Sequence, residues 1–127
     1  MVIDVEESTF KELDDEDREF ADILRSLGMQ RNTAILITFL ASAGEATSRE
    51  IELGAGLKQP EVSIAMRDLR DKNWVSEREV KTGGKGRPLR IYALSTPMHD
   101  IIKRLEDEKL KESADVMENI RKLKGLI

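Results

Sequence analysis

The sequence predicts a mainly α-helical domain with one small β-hairpin, followed by a long C-terminal helix. Three observations carry that prediction. Residues 45–73 read as two short helices joined by a glycine-containing turn. Residues 75–94 read as two strands around a glycine-rich tip. Residues 96–124 place apolar side chains at helical spacing with no internal breaker.

A chain of 127 residues is one domain by size, with room for an appended helix, and it buries a modest core without cross-links. The absence of cysteine excludes disulfides and thiolate chemistry, and a single histidine argues against a zinc site built from protein ligands alone. His99 beside Asp100 reads as a surface residue. No apolar run approaches membrane-spanning length, and the start lacks the basic-then-apolar layout of a signal peptide. The expectation is a cytoplasmic protein with no membrane partner. No carboxylate or lysine pairs with a nucleophile, metal cluster or cofactor loop at a meaningful spacing, so neither an enzyme nor a bound cofactor is expected. Gly83-Gly84-Lys85-Gly86 lacks the spacing of a phosphate-binding NTPase loop.

The net charge of −4 hides an uneven distribution. Residues 1–22 hold ten acids against Lys11 and Arg18, whereas the positive excess falls within residues 58–90. For a polyanionic partner the distribution matters more than the sum.

In chain order, residues 1–13 read as an acidic lead-in. A helix follows from about Asp14, with Phe20, Ile23, Leu24 and Leu27 on its apolar side and Gly28 as its stop. Residues 30–43 are apolar over so much of their surface that they predict the central core helix, ended by Gly44. Thr47 and Glu50 then form a T-x-x-E capping box. Ile51 and Leu53 are the apolar positions of this short helix, Gly54-Ala55-Gly56 stops it, and Leu57 plugs the space before the next.

The next helix starts near Gln59-Pro60, where proline suits the first turn. Val62, Ala65, Met66, Leu69 and Asn73 form its buried stripe, which leaves Gln59, Ser63, Ile64 and Arg67 on a protruding face. Two helices with a short glycine turn, the second offering such a face, form a helix-turn-helix signature.

Trp74 marks the exit into the hairpin and reads as a core side chain. Strands are predicted over 75–81 and 88–94. At and beside the tip between them, Lys81, Lys85, Arg87 and Arg90 carry four positive charges with no acid among them, and Gly86 lets the backbone approach a phosphate ridge or a minor groove. Directly after a helix-turn-helix, this hairpin reads as a wing.

With these parts in order, residues 27–95 resemble archaeal and bacterial winged-helix transcription regulators of the TrmB-like, MarR-like and ArsR-like groups. The resemblance runs from LGMQRNTAILITFLASAGEATSREIEL through QPEVSIAMRDLRDKNWV to GGKGRPLRIYALS. It implies a winged helix-turn-helix DNA-binding domain over 14–95, with a recognition helix at about 59–73. By that likeness Gln59, Pro60, Glu61, Ser63, Ile64 and Arg67 face the major groove. Lys58 and Arg70 would contact phosphates, and Lys85 and Arg87 would act at the wing. Many relatives carry Ser or Thr where this chain has Pro60 and Glu61, and a basic residue where it has Ile64.

Ser95-Thr96-Pro97 reads as a cap followed by a first-turn proline, opening a helix to about Lys124. Met98, Ile101, Ile102, Leu105, Val116, Ile120 and Leu123 form one stripe, and Leu110 and Met117 lie nearly opposite. A helix with two apolar sides predicts pairing with its copy, so 96–127 is expected to be a dimerisation helix. The resulting expectation is a homodimeric regulator of double-stranded DNA; signal input, if any, would come through a small-molecule pocket at the dimer interface or a protein effector. The alternative is a winged helix that docks proteins of the transcription machinery.

Overall fold

The computed structural model describes residues 12–81 and 86–127. The chain divides into two compact units, Met1–Thr96 and Pro97–Ile127. The described part of the first contains α1 (Asp15–Ser26), α2 (Arg31–Ala43), β1 (Glu45–Thr47), α3 (Ser48–Ala55), α4 (Gln59–Asp71), β2 (Val75–Val80) and β3 (Leu89–Leu94). The expected acidic lead-in falls almost wholly on residues 1–11, outside the described residues, as does the Lys85 position within 82–85.

The acidic start of α1 is its cap. Asp17 donates its backbone N–H to Asp14 Oδ1 at 2.8 Å, and the Asp14 N–H donates back to Asp17 Oδ2 at 3.1 Å. Carboxylates here also oppose the positive end of the helix dipole. The buried side of α1 differs from the expected stripe. Ala21 and Leu24 are buried, whereas Ile23 is 53% exposed and Leu27 is also exposed. Helix α1 packs on α2, and its buried side runs through Ala21 and Leu24.

Helix α2 is the centre of this unit and packs against α1, α3, α4, β1 and β3. Ala34, Leu36, Ile37, Phe39 and Leu40 are all buried, as its nearly continuous apolar surface requires. The Thr47–Glu50 capping box forms as expected. Glu50 N–H donates to Thr47 Oγ1 at 3.2 Å, and Thr47 N–H donates to Glu50 Oε1 at 2.8 Å. Replacing Thr47 by alanine is expected to destabilise the unit by about 1 kcal/mol, read as a lower urea midpoint at unchanged slope.

Within α3, Ile51 is buried but Leu53 is 54% exposed, against expectation, because the short helix turns only one narrow side inward. Gly54 belongs to the helix and not to its stop; its carbonyl accepts the Leu13 N–H at 3.3 Å. The turn itself is made at Gly56, whose φ of +70° would strain any residue with a Cβ. Leu57 is buried beyond it.

Helix α4 buries Val62, Ala65, Met66 and Leu69. It ends at Asp71, so Asn73 leaves the predicted stripe. With φ of +62°, Asn73 adopts a left-handed turn. Its N–H donates to the Arg70 carbonyl at 2.9 Å and the Trp74 N–H to the Leu69 carbonyl at 3.1 Å. These two bonds are a Schellman closure, with asparagine in the position usually held by glycine. The closure swings Trp74 into the core, where it is buried.

The strands form a three-stranded antiparallel sheet in the order β1-β3-β2. The hairpin matches expectation; β1 is an addition to it. Tyr92 pairs with Ala46 on one side and Glu77 on the other. Ser95 and Thr96 also differ from their expected capping role. Both hydroxyls donate to the Asn73 carbonyl, at 3.1 and 3.0 Å, and so hold the end of the hairpin to the end of α4.

The second unit is a single helix, α5 (Met98–Gly125). Its 28 residues span about 42 Å. Pro97 is its N-cap and contributes no side-chain hydrogen bond. Pairs three or four residues apart, such as Lys103–Asp107 at 3.0 Å and Arg121–Glu118 at 2.9 Å, line its polar side. Among the described residues no helix is long and apolar enough to cross a membrane.

Candidate nucleic-acid interface

The buried stripe of α4 fixes what its other side presents. At 100° per residue, Pro60, Ile64 and Arg67 lie opposite Val62, Ala65, Met66 and Leu69, with Ser63 at the flank. All four are exposed. Gln59 Nε2 donates to Ser63 Oγ at 3.1 Å, which holds the amide along the first turn. Glu61 has a local task. Its Oε1 accepts the Lys58 N–H at 2.8 Å, forming half of a capping box, since a lysine side chain at the cap cannot accept in return. One carboxylate oxygen of Glu61 is therefore committed within the helix.

The cations named from sequence divide into two groups. Arg70 donates to Glu77 on β2, so the guanidinium ties α4 to the wing. Arg90 lies 3.6 Å from Glu77 and 3.7 Å from Glu79. Together these four residues form a network on the side of the hairpin that faces α4. Its arrangement follows from the register, which sets Glu79 opposite Arg90 and Glu77 two residues along the same face. Lys58, Arg67, Lys81 and Arg87, by contrast, have exposed side chains with no carboxylate partner among the described residues. Gly86 at the wing has a φ of +116° and open space around it.

Between α3, the start of α4 and the wing lies an open hollow of about 760 Å³. It is lined by Thr47, Ser48, Arg49 and Glu52, by Gln59, and by Glu79, Arg87, Pro88, Leu89, Arg90 and Tyr92. Arg49 is the residue that sequence reasoning misses. It is exposed, lacks a carboxylate partner among the described residues, and faces the same hollow as Arg87. Its signal in the sequence is its place one residue inside the capped N-terminus of α3.

Among the described residues no group of three or more histidine or acidic side chains is placed to hold a metal ion. The charge pairs of the interface are exposed or half-buried, which suits contact with a solvated polyanion.

The α3–turn–α4 pair and the β2–β3 hairpin define a winged helix-turn-helix, with α2 behind it and a long helix after it. This is the fold of the winged-helix transcription regulators that the sequence resembles. NadR in complex with 4-hydroxyphenylacetate matches with a TM-score of 0.54 and 15% identity, over 94% of this chain and 77% of that one. A transcriptional regulator homologue from Pyrococcus horikoshii OT3 matches with a TM-score of 0.50 and 20% identity, over 80% and 97%. Diamide-treated YodB from B. subtilis matches with a TM-score of 0.50 and 14% identity, over 70% and 85%. At these identities the likeness is one of fold. No protein-family model and no curated protein matches the sequence.

Proposed function

We propose that the protein is a cytoplasmic, homodimeric transcription regulator that binds double-stranded DNA sequence-specifically. Residues 14–95 are its DNA-binding domain and 96–127 its dimerisation helix. Helix α4 enters a major groove and the wing, including Lys85, lies along the adjacent backbone or minor groove. The observation that carries this reading is the concave surface on which Arg49, Gln59 and Arg87 meet beside the exposed face of α4. Cations with no carboxylate partner among the described residues, set around a protruding helix, match a phosphate-lined groove: phosphate contacts hold the register, and the helix face reads the bases. Arg70 and Arg90 act here mainly by positioning the wing against α4.

The dimer reading is supported by α5. Ile102, Leu110, Val116, Met117, Ile120 and Leu123 are exposed along it, Met98 and Leu105 are half-buried, and Ile101 is buried within the single chain. So much exposed apolar surface on one helix matches burial against a second copy.

Selection from a random duplex pool at two salt concentrations tests the reading. An enriched inverted repeat bound by two chains, with affinity falling steeply as salt rises, is the expected result. No binding at low salt would overturn it in favour of a protein-docking winged helix. Glu77→Gln adds a finer check. It is expected to change stability by no more than about 1 kcal/mol, because the pairs it removes are partly exposed. By releasing Arg70 toward phosphates, while Arg90 keeps Glu79, it should steepen the salt dependence by about one released counterion.

A further inference from the structure

The most protruding part of α4 is apolar. Ile64 is 60% exposed and Pro60 is exposed one turn before it, both opposite the buried stripe. Neither adds to the core, and an exposed β-branched residue is a weak helix former, so neither packing nor propensity accounts for Ile64. The patch is small and bordered by Lys58 and Arg67, which have no carboxylate partner among the described residues. Its complement is a polyanionic surface that carries isolated apolar groups. In the major groove of DNA that group is the C5-methyl of thymine, since every other exposed base-edge feature there is a hydrogen-bond donor or acceptor.

We infer that Pro60 and Ile64 form a methyl-reading ridge, with Ile64 the specificity-determining contact to a thymine in each half-site. The inference rests on the DNA-binding reading and deepens it. A cytosine bearing a C5-methyl offers the same apolar group, so the ridge reads the methyl and not the pairing edge of the base. Arg67, two turns after Pro60 and one after Ile64, then places its guanidinium on a neighbouring base or phosphate.

The test uses the full chain and the duplex enriched by selection. Each thymine is replaced in turn by deoxyuridine, which removes only the methyl, and affinity is measured by fluorescence anisotropy at fixed salt. One position per half-site is expected to lose about fourfold, the worth of one buried methyl, and both together about fifteenfold. Ile64→Ala should bind the thymine and uracil duplexes equally, and 5-methylcytosine at that position should recover more affinity than cytosine with the wild-type chain only. Salt-sensitive binding with no methyl-dependent position, or a methyl effect unchanged in Ile64→Ala, overturns the inference and leaves the DNA reading standing. Failure to bind any duplex at low salt overturns both. Ile64 lies outside the core, so the variant stays folded for the comparison.

Discussion

Phe39→Ala is expected to lower the stability of the first unit by about 3–5 kcal/mol, the cost of emptying a large aromatic site that surrounding atoms refill only in part. Phe39 is 1% exposed on α2, the helix against which α1, α3, α4 and two strands are packed. Domains of this size have roughly 5–15 kcal/mol in total, so the loss removes about a fifth of it or more. The measurement is urea unfolding followed by the emission of Trp74, the sole tryptophan, which is buried in the same unit. Ile64→Ala is the control. It removes a three-carbon aliphatic group from an exposed position and should move the midpoint by less than about 0.5 kcal/mol. If both variants shifted the midpoint alike, the division between core side and groove side of α4 would be wrong.

The elements legible in the sequence are those with local chemical causes. Thr47 and Glu50 are three residues apart, and a capping box needs nothing else, so the start of α3 is set by the chain itself. The α4 start at Gln59-Pro60 and the two wing strands are of the same kind. Strand β1 is different. Glu45–Thr47 is too short to show any alternation, and it is a strand only because β3 lies beside it. Spacing alone puts Asn73 in a helical stripe, although its residue type suits the left-handed turn that it makes. Ser95 and Thr96 look like a cap because two hydroxyls precede a proline. In the fold they find the Asn73 carbonyl instead, a partner more than twenty residues away in the chain.

The candidate interface divides on the same principle. Which residues of α4 point away from the core follows from period and composition, and Ile64, Ser63 and Arg67 are where the sequence places them. Which cations are free depends on strand register. Arg70 and Arg90 look equivalent to Arg67 and Arg87 in the sequence, but β2 brings Glu77 and Glu79 up to the first pair and none of its acids to the second. Arg49 escapes a sequence reading for the converse reason: it belongs to the helix before the turn, and only folding sets it across a hollow from Arg87.

That division makes Arg67→Ala the most informative change for binding. Arg67 is exposed on the groove side of α4 with no carboxylate partner among the described residues, so its removal disturbs no ion pair among them. If it pairs with a guanine edge, the loss is about 1–3 kcal/mol per contact at one base position, and selection on the variant should relax there while the salt slope stays nearly fixed. If it contacts a phosphate, affinity falls for all duplexes alike and the slope drops by about one counterion. Arg70→Ala should behave as neither. It breaks the tie to Glu77, so its effect should depend on the wing, and Glu77→Gln placed on top of it should add little. A protein in which Arg67→Ala left both affinity and selectivity untouched would have its α4 face turned away from DNA, and docking through that helix would be ruled out.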